Sequence, residues 1–552
     1  MNRFTGIVFA GFVGILIAGG VAFAGESYVQ AATTMTDGAQ TAADLGSLDA
    51  TVAITNDCRY GVAGWQTNYL DWIGGQNVGI GWEVDFSAHS LGNRIPGAEY
   101  AQVIKVLQHR TAGGVYSSGF DVNPPLTEAG LGALIGYNRG YLWMVGNEPD
   151  RGPINPASPN RVQDDTFPEV YATAYHDIYA FIKSHDPTAQ VANAGLVEVT
   201  PGRLQYLETV WTTYLNNYGT TMPVDVWNMH IYVLPEANHL GTLPNNIASV
   251  AKGSPLATAL KEGTYTTNAL GQSYCTPPGN VGYYCTAVHD SIPEFGKQVT
   301  AMRAWMAEHG QQSKPLILSE FGLLYPYDPA ENPSGCWVYD EFGKCFTPTR
   351  VANFLTDSFN YLNTTTDPIL GDPLDNNRMV QQWLWFSLNN DPNAGHISDL
   401  VSGTAPAFTT VGQAFRTAAQ AMPQTINLSA TNSLQFVSLN VVGDQMSVTV
   451  KVGVINNGSI RPGVPAKVTA YSDAARTLEL GSGYLYDAPG CARRETFANV
   501  SLTLPAAPTG LYTYYLRIDP GNPLGETTML DNDLQGTLNL TPTRVLLPLI
   551  AR

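Results

Sequence analysis

Two glutamates stand where short apolar runs end. Glu148 lies in Tyr141-Leu-Trp-Met-Val-Gly-Asn-Glu-Pro-Asp150, and Glu320 lies in Pro315-Leu-Ile-Leu-Ser-Glu-Phe-Gly322. A carboxylate at the end of a buried strand costs free energy unless it is paired or hydrogen-bonded, so its presence asks for a chemical reason. Two such carboxylates suit the hydrolysis of a glycosidic bond, in which one protonates the leaving oxygen and the other attacks or serves as base. His230 and Tyr232 are two apart in Val226-Trp-Asn-Met-His-Ile-Tyr232 and so share one face of a strand. Trp385, in Trp383-Leu-Trp-Phe386, offers an aromatic face that suits the C–H face of a pyranose, although an indole there equally suits a core. Glu83 and His109 also fall near strand ends, where structural roles fit them better. The nine histidines do not cluster and no Cys-x-x-Cys occurs, so neither a metal site nor a cofactor is expected.

These side chains need a frame that brings separate strand ends together. From about residue 56 the chain alternates apolar runs with longer amphipathic stretches, the pattern of a parallel α/β fold. The strand candidates are 60–63, 78–84, 103–108, 141–146, 190–197, 224–233, 316–320 and 382–388. Eight is the number that a closed (β/α)8 TIM barrel requires, and several read as continuous apolar runs, as strands covered on both faces should. Between them, 167–183 carries Val170, Ala174, Ile178 and Phe181 near helical spacing, and similar stripes follow around 204–214, 295–306 and 351–362. Two long segments, 234–293 and 325–348, would emerge at the C-terminal face of the strands, where barrel enzymes build their clefts.

The texture changes near Ala421-Met-Pro-Gln424. Beyond it come short alternating strands such as Gln445–Lys451 and Gly510–Ile518, separated by turns at Asn456-Asn-Gly458 and Asp519-Pro-Gly-Asn522. The reading is a barrel over 56–422, then a separable all-β immunoglobulin-like sandwich over 430–541, then an apolar tail over 542–552. Ahead of the barrel, an apolar stretch from Ile7 to Ala22 ends in Ala22-Phe-Ala24. This predicts a signal peptide over 1–24, with 25–55 as a short N-terminal segment.

The net charge of −18 argues against nucleic acid or an anionic membrane surface as partner, and 13% charged against 44% hydrophobic residues excludes wholesale disorder. A secreted protein acting on neutral material fits, with no stable membrane insertion once the leader is removed. Six cysteines suit an oxidising compartment. Local bridges between Cys275 and Cys285 and between Cys336 and Cys345 are the simplest pairing, which leaves Cys58 and Cys491, far apart in sequence.

With the strands numbered in order, Glu148 ends the fourth and Glu320 the seventh. Over residues 56–420 the chain thereby resembles the clan A glycoside hydrolases, retaining (β/α)8-barrel enzymes. The resemblance implies that Glu148, in its Asn-Glu-Pro, is the acid/base and Glu320 the nucleophile. It implies further that Asn147 holds the sugar 2-hydroxyl, that His230 and Tyr232 lie near the nucleophile, and that Trp385 floors the sugar subsite. Strict alternation would send Asn147 and Glu148 to opposite faces, so the strand end must be distorted. The C-terminal module resembles the CARDB-like immunoglobulin-fold adhesion domains of secreted bacterial proteins, which implies a cell-surface association. Its acidic residues 519–532 suit turn-forming hydrogen bonds better than a calcium loop. The competing class is a non-catalytic carbohydrate-binding or adhesion protein on the same scaffold; retention of both glutamates favours the enzyme.

Overall fold

In the computed structural model the eight expected strands form, five of them shorter than the apolar runs that encode them. They are β1 (Tyr60–Ala63), β2 (Trp82–Val84), β4 (Gln102–Arg110), β6 (Leu142–Val145), β7 (Gln190–Asn193), β8 (Trp227–Ile231), β9 (Leu316–Phe321) and β10 (Gln382–Trp385). Two more were not legible: β3 (Glu99–Tyr100) continues into β4, and β5 (Tyr116–Asn123) folds back antiparallel on β4. The structure describes residues 56–540, apart from 65–66, 91–93, 112, 153–162, 235, 238–250, 254–287, 324–344, 390–396, 443–444 and 505–509, with backbone pairing alone at a few positions inside and beyond those stretches.

The strands pair as two sheets, not as one uninterrupted ring. One has the order β3-β2-β1-β10-β9-β8, all parallel; the other has the order β5-β4-β6-β7. The sheets meet at two seams. At the first, β3 and β4 are one run of chain broken at Ala101, whose N–H donates to Glu83 O at 3.0 Å. At the second, β7 and β8 share only a single parallel bridge between Ala192 and Val226. There the Asn193 side chain replaces the missing ladder, accepting from Asn228 N at 2.8 Å and donating to Asn228 O at 2.9 Å. An apolar cluster draws on every strand or the residue beside it, with Ala63, Trp82, Val103, Met144, Ala192, Val226, Ile317 and Leu384 among its members. A larger cluster lies between the outer faces of the strands and the helices.

The helices start and stop where their sequences dictate. Helix α1 (Thr67–Gly74) precedes β2, and α2 (Ala133–Tyr137) precedes β6. Helix α3 (Pro168–His185) opens on a proline, which fits the first turn because its missing N–H is not needed there, and buries Tyr171, Ala174, Tyr175, Ile178 and Ile182 as one stripe. Helix α4 (Pro201–Tyr218) ends on Gly219 at φ +69°, where a side chain would be strained. Ser291 caps α5 (Ile292–Glu308), Thr347 caps α6 (Pro348–Thr364) and Thr409 caps α7 (Thr410–Ala421), each accepting a backbone N–H of the first turn. Among the described residues no helix is long and apolar enough to cross a membrane.

After α7 come two antiparallel sheets over one core. The first joins β11 (Leu428–Val442), β12 (Gln445–Asn456) and β15 (Thr496–Leu504). The second joins β14 (Glu479–Leu485), β13 (Ala466–Tyr471), β16 (Gly510–Ile518), β17 (Asp533–Leu540) and a short edge strand, β18 (Val545–Leu546). The tail expected to lie outside the module thus pairs with it through Val545 and Leu546. Alternate residues, such as Val448, Val450 and Val452 on β12 and Leu516 and Ile518 on β16, enter the shared core. The acidic residues build the turn after β16: Asp519 accepts Leu524 N, Asn522 accepts Glu526 N, and Glu526 accepts Leu428 N and the Asn532 amide.

This module packs against the parallel strands. Residues 54–552 form one compact unit, and the contacts fall on the N-terminal ends of the parallel strands. Cys58, just before β1, is disulfide-bonded to Cys491. That pairing corrects the expectation that the two were left over; the fold brings together cysteines 433 positions apart in sequence. Cys345 is also disulfide-bonded, whereas the expected pairings with Cys336 and between Cys275 and Cys285 involve side chains outside the described residues. Arg493, nearly inaccessible, pairs with Glu99 at the start of β3 and donates to Gln190 at the start of β7 at 2.7 Å. Arg494 donates to Gly140 O and Thr188 O at 3.2 and 3.1 Å. Arg59 forks onto Asp375 through two 3.1 Å bonds and reaches Asn457 O at 3.3 Å.

Candidate active site

The C-terminal ends of the same strands hold the other set of buried charges. After β6 the backbone leaves strand geometry: Gly146 has φ +92° and Glu148 φ +46°. A non-glycine residue in left-handed backbone costs on the order of 1–3 kcal/mol and persists only where its surroundings fix it. Here Glu148 N–H donates to Gly195 O at 3.0 Å, and Arg151 N–H to Glu148 O at 3.1 Å. This is the distortion that period-two alternation demands if Glu148 is to face the site.

Glu320 is aimed by a different irregularity. Along β9, Leu318 pairs with Met229 but Glu320 pairs with His230, so Ser319 is an extra residue, a bulge that re-aims the carboxylate. The Tyr232 hydroxyl donates to Glu320 Oε1 at 2.5 Å. His230 lies between the two acids, with Nδ1 3.3 Å from Glu148 Oε1 and 3.6 Å from Glu320 Oε2, and Nε2 3.1 Å from Ser319 Oγ. Gly195 makes room for it, since a Cβ there would lie 2.2 Å from the imidazole. Glu148, His230, Tyr232 and Glu320 are all buried.

Electrostatics separate the two acids. Burial works against the Glu148 charge, but the His230 imidazole and the Arg151 guanidinium, 3.3 Å from Oε2, outweigh it and hold the carboxyl down at about 2. Burial pushes Glu320 up to about 7, opposed by His230 and by the Tyr232 hydrogen bond and reinforced by the Glu148 charge. Burial lowers His230, but Glu320 and Glu148 together raise it above the usual histidine value. Of the two carboxyls, Glu320 is thus the one that burial favours in its protonated form, and Glu148 the one that its neighbours keep ionised. The family resemblance implies the reverse at the start of the reaction; the difference comes from His230 first and Arg151 second, both of which favour the charge on Glu148.

The remaining candidates divide. Asn147 lies beside Glu148, but its amide donates to Gln163 Oε1 at 3.0 Å. Trp385 is not in the site. It is wholly buried on the helix side of β10, edge-on to Phe321, with Nε1 donating to Ser398 O at 2.7 Å. Alternation explains the error: Leu384 faces the inner cluster, so Trp383 and Trp385 face outward and Phe386 faces inward toward Phe86. Glu83 is a structural acid, accepting Ile95 N at 2.9 Å and pushed up to about 7 by burial. His109 is half-exposed and pairs with Asp121 at 3.0 Å. Arg151, Ser319 and Gly195 were missed. Only Arg151, three residues after Glu148 across a Pro-Asp turn, left a trace in the sequence.

One ligand atom from each of Glu148, His230 and Glu320 falls within 4.8 Å of the others, close enough to share a divalent ion. Arg151 and Tyr232 already engage one oxygen of each carboxylate, an arrangement that suits proton handling. The same spacing lets one carboxyl attack a carbon while the other serves its leaving group.

No family model and no curated protein matches the chain. Similar solved structures include a glucosidase from Croceicoccus marinus, 11% identical over 82% of this chain and 96% of that one, with a TM-score of 0.35. A β-glucuronidase from Bacteroides uniformis is 10% identical over 88% of this chain and 46% of that one, with a TM-score of 0.33. A CARDB domain from Pyrococcus furiosus, solved in complex with di-metal ions, is 15% identical over 21% of this chain and 93% of that one, with a TM-score of 0.15. Glycoside hydrolases are thus among the structural neighbours, at TM-scores too low to carry an argument about this chain.

Proposed function

We propose that this chain is a secreted, retaining O-glycoside hydrolase built on a (β/α)8 barrel with an immunoglobulin-like module beneath it. Its substrate is an extracellular polysaccharide or oligosaccharide. The observation that carries the reading is the pair of carboxyls from the ends of two parallel strands, with oxygens within 4.8 Å. Retaining enzymes hold their carboxyls about 5–5.5 Å apart, whereas inverting ones need roughly 6.5–9.5 Å to admit a water. The barrel reading is supported by the eight strands, their two seams and the inner cluster that draws on all of them. Secretion, with residues 1–24 removed, is supported by the Cys58–Cys491 bridge and the acidic charge.

Glu320 attacks the anomeric carbon, and Glu148 protonates the departing oxygen, then takes a proton from the water that releases the sugar. For this the proton must pass from Glu320 to Glu148. His230 Nδ1 faces both acids and so lies on the path of that transfer, and a glycan that displaced the Arg151 contact would weaken the hold on the Glu148 charge and favour the proton there. Covalent attachment of the sugar to Glu320 removes that charge and lets Glu148 turn from acid to base.

The test is a panel of aryl β-glycosides and soluble polysaccharides, with the wild type beside Glu320→Ala. Glu320→Ala should lose on the order of 10⁴-fold or more in turnover while staying folded. Added azide should restore activity with an inverted product. Wild-type rates in Glu320→Ala would end the assignment. Polysaccharide binding without turnover by the wild type would transfer it to an adhesion protein.

A further inference from the structure

Residues Gln163–Thr166 bring the chain back alongside the turn that carries Glu148, and three of the four bind that turn directly. Gln163 Oε1 accepts the Asn147 amide at 3.0 Å. Thr166 N–H donates to Pro149 O at 2.8 Å, and its hydroxyl to Val106 O at 2.9 Å. Asp165, itself in left-handed backbone at φ +53°, anchors the segment by accepting from Tyr116 at 2.8 and 2.9 Å, from Arg110 at 3.3 Å and from Lys252.

Asp164 occupies the centre. The last bond of the β4–β6 ladder runs from Gly146 N–H to Ile104 O at 2.7 Å. Beyond it, Asp164 Oδ2 accepts the N–H of both chains, Asn147 at 2.8 Å and Val106 at 3.0 Å. The carboxylate is inaccessible to solvent, with Lys105 Nζ 3.7 Å from its other oxygen. It fills the space a side chain at Gly146 would need, since a Cβ there would lie 3.1 Å from Oδ2.

We propose that Asp164 is a positioning residue for Glu148: by holding the peptide before Glu148 to β4, it sets where the acid stands relative to His230 and Glu320. Its catalytic meaning rests on the acid/base reading of Glu148; its geometric meaning does not. The carboxylate acts through a main-chain N–H that an unpinned turn would release.

Two measurements on Asp164→Ala and Asp164→Asn test this. The first is the imidazole ¹⁵N shifts of His230 at fixed pH, which need no activity. Asp164→Ala should move them, and Asp164→Asn, whose amide oxygen still accepts, should return them most of the way. The second compares dinitrophenyl with phenyl β-glycosides of whichever sugar the wild type cleaves. Dinitrophenolate leaves without a proton, so Asp164→Ala should lose about 100-fold more on the phenyl substrate, with Asp164→Asn recovering most of that ratio. Unmoved His230 shifts in a folded Asp164→Ala would overturn the proposal, as would equal losses on both substrates. If the wild type cleaves no probe but the His230 shifts move and recover, the positioning stands and the hydrolase reading falls.

Discussion

At the N-terminal ends of the parallel strands buried charges meet their opposites; at the C-terminal ends, beside matched pairs such as Arg203 with Asp150, two like charges face one another. Below, Arg59 forks onto Asp375, and Arg493 joins Glu99 and Gln190, so each guanidinium is matched in sign and shape. Above, two carboxylates share one imidazole, and one of them is pushed up to about 7. A matched buried pair is costly to break and does nothing else. A mismatched set is costly to keep, and it is the set that can move a proton near neutral pH. The fold keeps the mismatched set at the C-terminal ends of the strands, away from the pairs that tie the module to their N-terminal ends.

If that division is sound, damage below should cost stability and spare the rate of each folded molecule, while damage above should do the opposite. The largest effect is expected from Arg493→Ala, which leaves the partly buried Glu99 without this partner. Denaturant unfolding should show a loss of about 3–5 kcal/mol, with kcat per folded molecule unchanged. Next, Cys58→Ser with Cys491→Ser should cost ~2–4 kcal/mol in the same assay, and a reductant should reproduce it in the wild type. Above, Gly195→Ala places a methyl 2.2 Å from the His230 ring. It should lower kcat by about 100-fold with a Tm near that of the wild type. A large Tm loss with normal kcat would move Gly195 to the structural side of the comparison.

The smallest effect is a gain. Burial raises the Glu320 carboxyl from 4.5 to about 7. Its protonated form therefore favours the fold fully below about pH 4.5, and that contribution is lost as pH rises through about 7. Glu320→Gln carries no charge at any pH, so it should be more stable than the wild type by ~1–3 kcal/mol above pH 7, with the difference closing at acid pH. Parallel stability curves across that range would show that Glu320 is not strained by its burial.

The upper end was far more legible than the lower. Glu148 and Glu320 stood out because a carboxylate closing an apolar run is costly, and His230 and Tyr232 because they are two apart on one strand. Trp385 reads from sequence as a site residue because both faces of β10 are apolar, so composition alone does not show that Leu384 takes the inward face. The bulge at Ser319 inserts one residue and leaves no compositional trace. Asp164 and Gly195 act through backbone atoms, which sequence patterns do not report. Below, Arg59 and Arg493 find partners 316 and 394 residues away, distances at which local patterns carry nothing. The change of texture near residue 422 marks where strand periodicity switches, and it reads as a boundary although the packing runs across it.

The bridge from Cys58 to Cys491 makes most of the polypeptide a closed covalent circle. A protease that nicks any surface loop between those residues opens the circle without dividing the molecule. Both fragments would migrate as one species until the sulfurs are reduced, and the two carboxyls, contributed from either side of a cut between 148 and 320, would still belong to a single body. For a protein that meets proteases this is tolerance of wear, obtained from one bond at the end farthest from the candidate site.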